Sequence, residues 1–310
     1  MVVLDFEKSI FELEAKIKDL KSLDSSDIKL TDEIRKLELK LARISDDVYS
    51  HLTPWNKLQM ARHPERPQSM DYIGEIITDF IPLAGDRLFG DDQAIVAGIG
   101  LLNGKGVAIV GHQKGREPQE KVKHNFGMPN PEGYRKAMRI MDMAARLHLP
   151  IITLIDTVGA FPGIEAEQRG QAEAIAKCLE TGFNYNVPVI SVVIGEGGSG
   201  GAIAIGVANT VMMLEYSVYS VISPEGCASI LWKDVSFTKD AAEALRITAP
   251  DLLKLGVIDR IIKEPKGGAH KNYKEAASLL KTAIIEELSK LSKVSDYISH
   301  REQRFLRIGR

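Results

Sequence analysis

Cysteine is nearly absent: Cys178 and Cys227 are the only two in 310 residues, and neither belongs to a C-x-x-C pair. That excludes a disulfide scaffold and a zinc knuckle and suits a reducing compartment. No apolar run approaches the roughly 18 residues of a membrane span. The first residues carry Asp5, Glu7 and Lys8 in place of the basic flank and apolar core of a leader. A soluble, cytoplasmic protein without membrane association is expected. Charge of one sign is lacking too. Forty basic against 42 acidic residues leave a formal −2, so bulk attraction to nucleic acid is not expected and any basic surface must be local. No group of His, Asp, Glu or Cys has metal-ligand spacing, and no metal is expected in this chain. No tandem repeat is visible. What is present, 44% hydrophobic and 26% charged residues, is ordinary globular material, enough for one large domain plus an appendage.

The densest signal is Gly195-Glu196-Gly197-Gly198-Ser199-Gly200-Gly201, with five glycines in seven residues. It lies between an apolar β-type run, Val187 to Ile194, and a small-residue helical run, Ala202 to Ala208. Glycine at a strand-to-helix turn removes side chains, so backbone N–H groups can approach a ligand and stabilise developing negative charge. A second strand exit, Asp156-Thr157-Val158-Gly159-Ala160-Phe161-Pro162-Gly163-Ile164, also precedes a helix. If the two strands are neighbours, both loops open at one sheet edge and their helix N-termini share a cleft. Equally, the first loop reads as a tight turn with capping chemistry.

Around these loops the chain has α/β rhythm. Phe6, Ile10, Leu13, Ile17 and Leu20 form one helical seam, and Leu30, Ile34, Leu37, Leu41, Ile44 and Val48 a second, with a turn expected over Ser22 to Asp27. Such a helical hairpin either packs on the domain or serves as a partner-binding arm. A Pro-containing connection, His51 to Pro67, leads to a β-hairpin, Ala94–Leu102 and Val107–His112, turning at Asn103-Gly104-Lys105-Gly106. Then come a helix over Pro131–Leu147, a buried-type strand over Ile151–Asp156, a helix over Glu165–Thr181 and an apolar run at Ser217–Ile222. An exposed amphipathic helix is expected over Lys274–Leu291.

Gly197-x-Ser199-x-Gly201 formally matches a serine nucleophile elbow, with Asp234, Asp259 and His270 following in a permitted order for a hydrolase. A five-residue pattern inside a glycine run is weak evidence. A Walker A loop is disfavoured, because no Lys-Ser or Lys-Thr follows the glycines. Between His112 and Arg146, eight basic residues face four acidic ones. Solvated helix faces explain most such surpluses; the functional reading is attraction of an anionic ligand, for which Lys114 and Arg116 in His112-Gln113-Lys114-Gly115-Arg116-Glu117 stand best, directly after a strand.

Taken together, Gly111 to Glu117, Asn125-Phe126-Gly127-Met128-Pro129, Pro131 to Ala137, Gly195 to Gly201, Ser220 to Trp232 and Gly267-Gly268-Ala269-His270 resemble the carboxyltransferase α-subunit family of bacterial acetyl-CoA carboxylases over nearly the whole chain. The resemblance implies an α/β, crotonase-like spiral of ββα units. It implies a helical hairpin and linker over 1–67, a carboxyltransferase domain over 68–265 and a C-terminal helical extension over 266–310. It implies that a separate β subunit completes an α2β2 assembly and carries the structural zinc. A biotin carboxylase spends ATP to carboxylate biotin on a carrier protein, and the carboxyl group then passes to acetyl-CoA, giving malonyl-CoA for fatty acid synthesis. In this family the α chain supplies the biotin-side oxyanion hole and the β chain the hole for the thioester enolate. On this sequence the matching catalytic positions are Gly200 and Gly201, supported by Gly198, with Gly159, Gly163, Ile164, Lys114 and Arg116 as carboxybiotin-binding candidates. One departure stands out: Val158 replaces the proline of the family's Asp-Thr-Pro-Gly, which removes a φ restraint while keeping the glycine.

Overall fold

The computed structural model describes residues 2–22 and 28–309. Its elements are α1 (Lys8–Ser22), α2 (Ile28–Ser50), α3 (Pro54–Ala61), α4 (Ser69–Ile76), β1 (Thr78–Pro82), β2 (Ile95–Leu102), β3 (Lys105–His112), α5 (Pro118–Lys123), α6 (Pro131–Arg146) and β4 (Ile151–Thr157). There follow α7 (Ile164–Gln168), α8 (Gln171–Phe183), β5 (Val189–Gly198), α9 (Ser199–Ile203), β6 (Thr210–Leu214), β7 (Val218–Ser220), α10 (Pro224–Leu231), α11 (Thr238–Ala244) and α12 (Ala249–Lys254). The chain closes with β8 (Arg260–Ile262), α13 (Tyr273–Leu291) and α14 (Tyr297–Leu306).

One sheet organises them, in the order β1-β2-β3-β4-β5-β6-β8, with β7 pairing β5 off that path. β1, β2 and β3 are antiparallel, whereas β3, β4, β5, β6 and β8 run parallel. The parallel strands are apolar almost throughout because both faces are covered, as parallel sheets require. Alternation divides them: Ala108, Val110, Ile151, Ile155, Val189 and Val193 face a layer that includes Tyr134, Ile140 and Met141 of α6 and Cys178 of α8. Ile109, Ile152, Leu154, Ile190 and Val192 face the other layer, built from Tyr72 and Ile73 of α4 and Ala277, Leu280 and Ile284 of α13. Helix α13 therefore buries a full stripe against the sheet, and only its outer face is the exposed amphipathic surface expected.

Several local readings are corrected. The single helix expected over Glu165–Thr181 is two, α7 and α8, because Gly170 between them adopts a left-handed conformation (φ 82°) that no regular helix continues through. The strand expected to end at Ile194 continues to Gly198, since β7 adds a parallel partner there (Glu196 with Val218, Gly198 with Ser220). The helix expected over Ala202–Ala208 is instead the five-residue α9. The connection 51–67 contains α3, capped by Thr53, whose side chain accepts from Asn56 N at 3.2 Å. Helices α1 and α2 pair with each other, with a Lys21–Glu38 ion pair at 2.6 Å and Tyr49 donating to Glu7 at 2.6 Å; most of the turn expected at 22–27 lies outside the described residues.

Candidate active site

β3, β4 and β5 are parallel neighbours, so the segments leaving their C-terminal ends emerge at one edge of the sheet. Asp156, at the end of β4, ties the three together. It is ion-paired with Lys114 beyond β3 and accepts from the N–H of Glu196 in β5 at 2.9 Å. A side chain at residue 195 would run into its carboxylate, which accounts for Gly195.

The loop after β4 closes directly on the glycine cluster. A Cβ at 198 would strike the carbonyl of Val158, and a Cβ at 201 would lie 2.6 Å from Ala160 N and from Gly159 C. Glycine at these two positions is a steric necessity. At residue 200 the nearest atoms to an added Cβ are those of Ile175, at 3.8 Å or more, so space does not require glycine there. α9 starts at Ser199, and the first-turn N–H groups of a helix have no intrahelical acceptor. Ser199 itself is left-handed (φ 54°), a conformation costly for a residue with a side chain and most often found where function demands it.

The sequence-predicted residues fall into three groups. Gly159, Gly198, Gly200 and Gly201 lie together, with Gly159 and Ser199 in contact range at 3.8 Å for an added Cβ. Lys114 reaches them through Asp156. Gly163 and Ile164 stand farther along the loop at the start of α7, where Gly163 abuts the Phe161 ring and Ile164 is 73% exposed. Arg116 is committed elsewhere, making paired bonds of 3.1 and 2.6 Å to Asp71 of α4. Most of the basic surplus is likewise structural: Arg135 bonds Asp86 at 2.7 Å, Lys136 bonds Asp91 at 2.6 Å, and Arg139 bonds the Gly85 carbonyl at 2.9 Å.

Two arginines from the N-terminal connection brace β5 from behind, and the sequence reading passed over them. Arg62 grips buried Glu196 through bonds of 3.0 and 2.7 Å and reaches Glu225 at 2.6 Å. Arg66 donates to the Ile194 carbonyl at 2.8 Å and pairs with Glu264 at 2.7 Å inside the protein. The arginine-dense stretch Arg62-His63-Pro64-Glu65-Arg66 was the available signal. His112 sits beneath the cluster. Burial, reinforced by the Lys114 charge and only partly offset by Asp156, holds its pKa down to about 4. The neutral ring accepts from Asp156 N at 3.3 Å through Nδ1.

No serine relay is assembled from the residues considered for one. Asp234 caps a short turn through Ser236 N at 2.8 Å, Asp259 is taken by Arg304 at 2.7 Å, and His270 stacks on His63 at 3.9 Å. What the strand ends bring together is the Lys114–Asp156 pair, the neutral His112 and the opening turn of α9.

A family model described as acetyl co-enzyme A carboxylase carboxyltransferase-like matches residues 3–309. Among curated proteins, the acetyl-coenzyme A carboxylase carboxyl transferase subunit alpha of Paramagnetospirillum magneticum is 53% identical, covering 100% of this chain and 99% of that one. Its namesake from Zymomonas mobilis is 54% identical over 99% and 98%. Among solved structures, transcarboxylase 12S superposes with a TM-score of 0.56 at 20% identity, over 72% of this chain and 44% of that one. A Pseudomonas malonate decarboxylase hetero-tetramer in complex with coenzyme A does so with 0.58 at 15%, over 69% and 86%. These likenesses show the fold, which is that of crotonase-type carboxyltransferases. The chain spans less than half of the transcarboxylase chain.

Proposed function

Since the chain belongs to the acetyl co-enzyme A carboxylase carboxyltransferase family and is a carboxyltransferase of its α-subunit type, we propose that the main-chain amides of Gly200 and Gly201, set by Gly198, form the oxyanion hole for the carboxyl donor. The substrate is carboxybiotin borne on a carrier protein, and the acceptor is acetyl-CoA. As the N–CO2 bond breaks, negative charge grows on the ureido oxygen. The amides are already fixed there, cannot titrate, and each such donor stabilises the transition state by about 3 kcal/mol. The released ureido nitrogen takes a methyl proton from acetyl-CoA, and the resulting enolate carbon attacks CO2 to give malonyl-CoA. No acid or base from this chain is required. Lys114 and Asp156 position the strand ends, and the exposed Val158 and Ile164 border the approach.

The observation that carries this reading is the closure of the 158–160 backbone onto Gly198 and Gly201 at separations only glycine permits. A β subunit supplying the enolate hole, an α2β2 assembly, an ATP-using biotin carboxylase and a cytoplasmic setting complete the reading. Its test is the back-transfer of carboxyl from malonyl-CoA to biocytin by α alone, β alone and the purified pair. Transfer by the pair only is expected; transfer by α alone would overturn the shared site.

A further inference from the structure

Two polar side chains that the transfer chemistry leaves unused converge on Gly201 from inside the protein. Tyr134 comes from α6 and is fully buried, in the layer that holds Ile155, Cys178 and Ala202. Its hydroxyl ends 2.9 Å from where a Cβ on Gly201 would lie. His112, at the end of β3, alternates with Ala108 and Val110 into the same layer and is fully buried too. The main chain of Gly201 stands close enough to favour the ring's charged form, against the burial that holds it neutral. Because Nδ1 accepts from Asp156 N at 3.3 Å, the neutral ring carries its proton on Nε2. Neither Tyr134 Oη nor His112 Nε2 has a hydrogen-bond partner among the described residues.

A buried hydroxyl or N–H without a partner is costly, and folded proteins leave few of them. Tyr134 cannot swing away to find one, because α6 is pinned on both sides of it. Glu132 pairs with Arg169 at 2.9 Å, Arg135 with Asp86 at 2.7 Å and Lys136 with Asp91 at 2.6 Å. The loop after β4 is tied to the same end of the helix, with Phe161 N donating to the Pro129 carbonyl at 3.0 Å. The part left free to adjust is the glycine turn, which has no side chains at 200 and 201.

We propose that Tyr134 and His112 are positioning residues for carboxyl transfer: their donors take main-chain oxygens of the glycine turn as it draws in around the charged ureido oxygen. The inference rests on the reading of Gly200 and Gly201 as the oxyanion hole. Bonds made only in that charged state lower the barrier without tightening substrate binding, so they act on kcat. Linked hydrogen bonds inside a protein also polarise one another, so donors on the turn's carbonyls strengthen its amides toward the oxyanion.

The test uses the assembled α–β enzyme in biocytin back-transfer. Tyr134→Phe removes one oxygen and should lower kcat about tenfold, with KM for biocytin and for malonyl-CoA unmoved and Tm unchanged or raised. His112→Asn keeps an acceptor for Asp156 N but places nothing where Nε2 stood, and it should act in the same direction. His112→Gln, whose amide reaches that place, should restore part of kcat. Tyr72→Phe is the control: its hydroxyl is also buried and unpartnered among the described residues but belongs to the opposite layer, and kcat should not change. Unchanged kcat in Tyr134→Phe overturns the proposal. So does a fall in its Tm, which would show a hydroxyl already bonded in the free protein, or an equal loss of kcat in Tyr72→Phe. If Gly201→Val abolishes transfer while Tyr134→Phe leaves kcat alone, this inference fails and the hole stands; if Gly201→Val is harmless, the hole fails and this inference with it.

Discussion

Gly200 and Gly201 are neighbours with different reasons for being glycine, and substitution separates the reasons. At 201 an added Cβ meets the 159–160 backbone, whereas at 200 it meets only Ile175 at van der Waals distance. Gly201→Ala should therefore lower stability by about 1–3 kcal/mol through overpacking, read as a drop in Tm, while Gly200→Ala should move Tm little. Ser199 is strained in the left-handed region, so Ser199→Gly is expected to be neutral or stabilising by some tenths of a kcal/mol up to about 1 kcal/mol. Two histidines make stability pH-dependent. His112 is held down to about 4 by burial and Lys114, and His270 to about 3 by burial, His63, Lys271 and Arg66. Both fold neutral but take up protons near 6.5 once unfolded, so their contribution is complete above that pH and is lost progressively as pH falls, toward about 4 for His112 and about 3 for His270. Tm should decline over that window, and His112→Gln should flatten part of the decline; an unaltered slope would show that His112 is not its source.

Elements differ in how far local residues announce them. The β2–β3 hairpin was legible because continuous apolar runs flank the turn residues Asn103-Gly104, and β2 and β3 occupy almost the expected spans. α6 was legible from Pro131 at its first turn and its apolar period. The glycine run misled at the element level: glycine depresses strand propensity, and what keeps 195–198 extended is β7, a partner some twenty residues later that no local pattern reveals. Likewise nothing near Asp156 marks it as the junction of three strands, nor Arg301 as a buried anchor, because each acts through residues distant in sequence. The brace on β5 is testable at this scale. Arg66 and Glu264 are both buried, so Glu264→Gln leaves an uncompensated charge and should cost about 3–5 kcal/mol, seen as a lower denaturation midpoint. Lys263→Gln, which removes only the exposed pair with Glu215, should cost less than about 1 kcal/mol.

Across the whole molecule, the two-sided burial of a parallel sheet delivers three strand ends to one edge, and α4, α13 and the N-terminal arginines hold that edge from behind. At that edge the 158–160 backbone closes on Gly198 and Gly201, and the proposed oxyanion hole rests on that closure. The most direct measurement is carboxyl back-transfer to biocytin by the α–β pair carrying Gly201→Val, alongside Ser199→Ala, with assembly of both variants verified. Loss of kcat by about a hundredfold or more in the glycine variant, with the serine variant close to wild type, is the expected result. Full activity with valine at 201, or its collapse with alanine at 199, would contradict the claim that main-chain amides hold the charge.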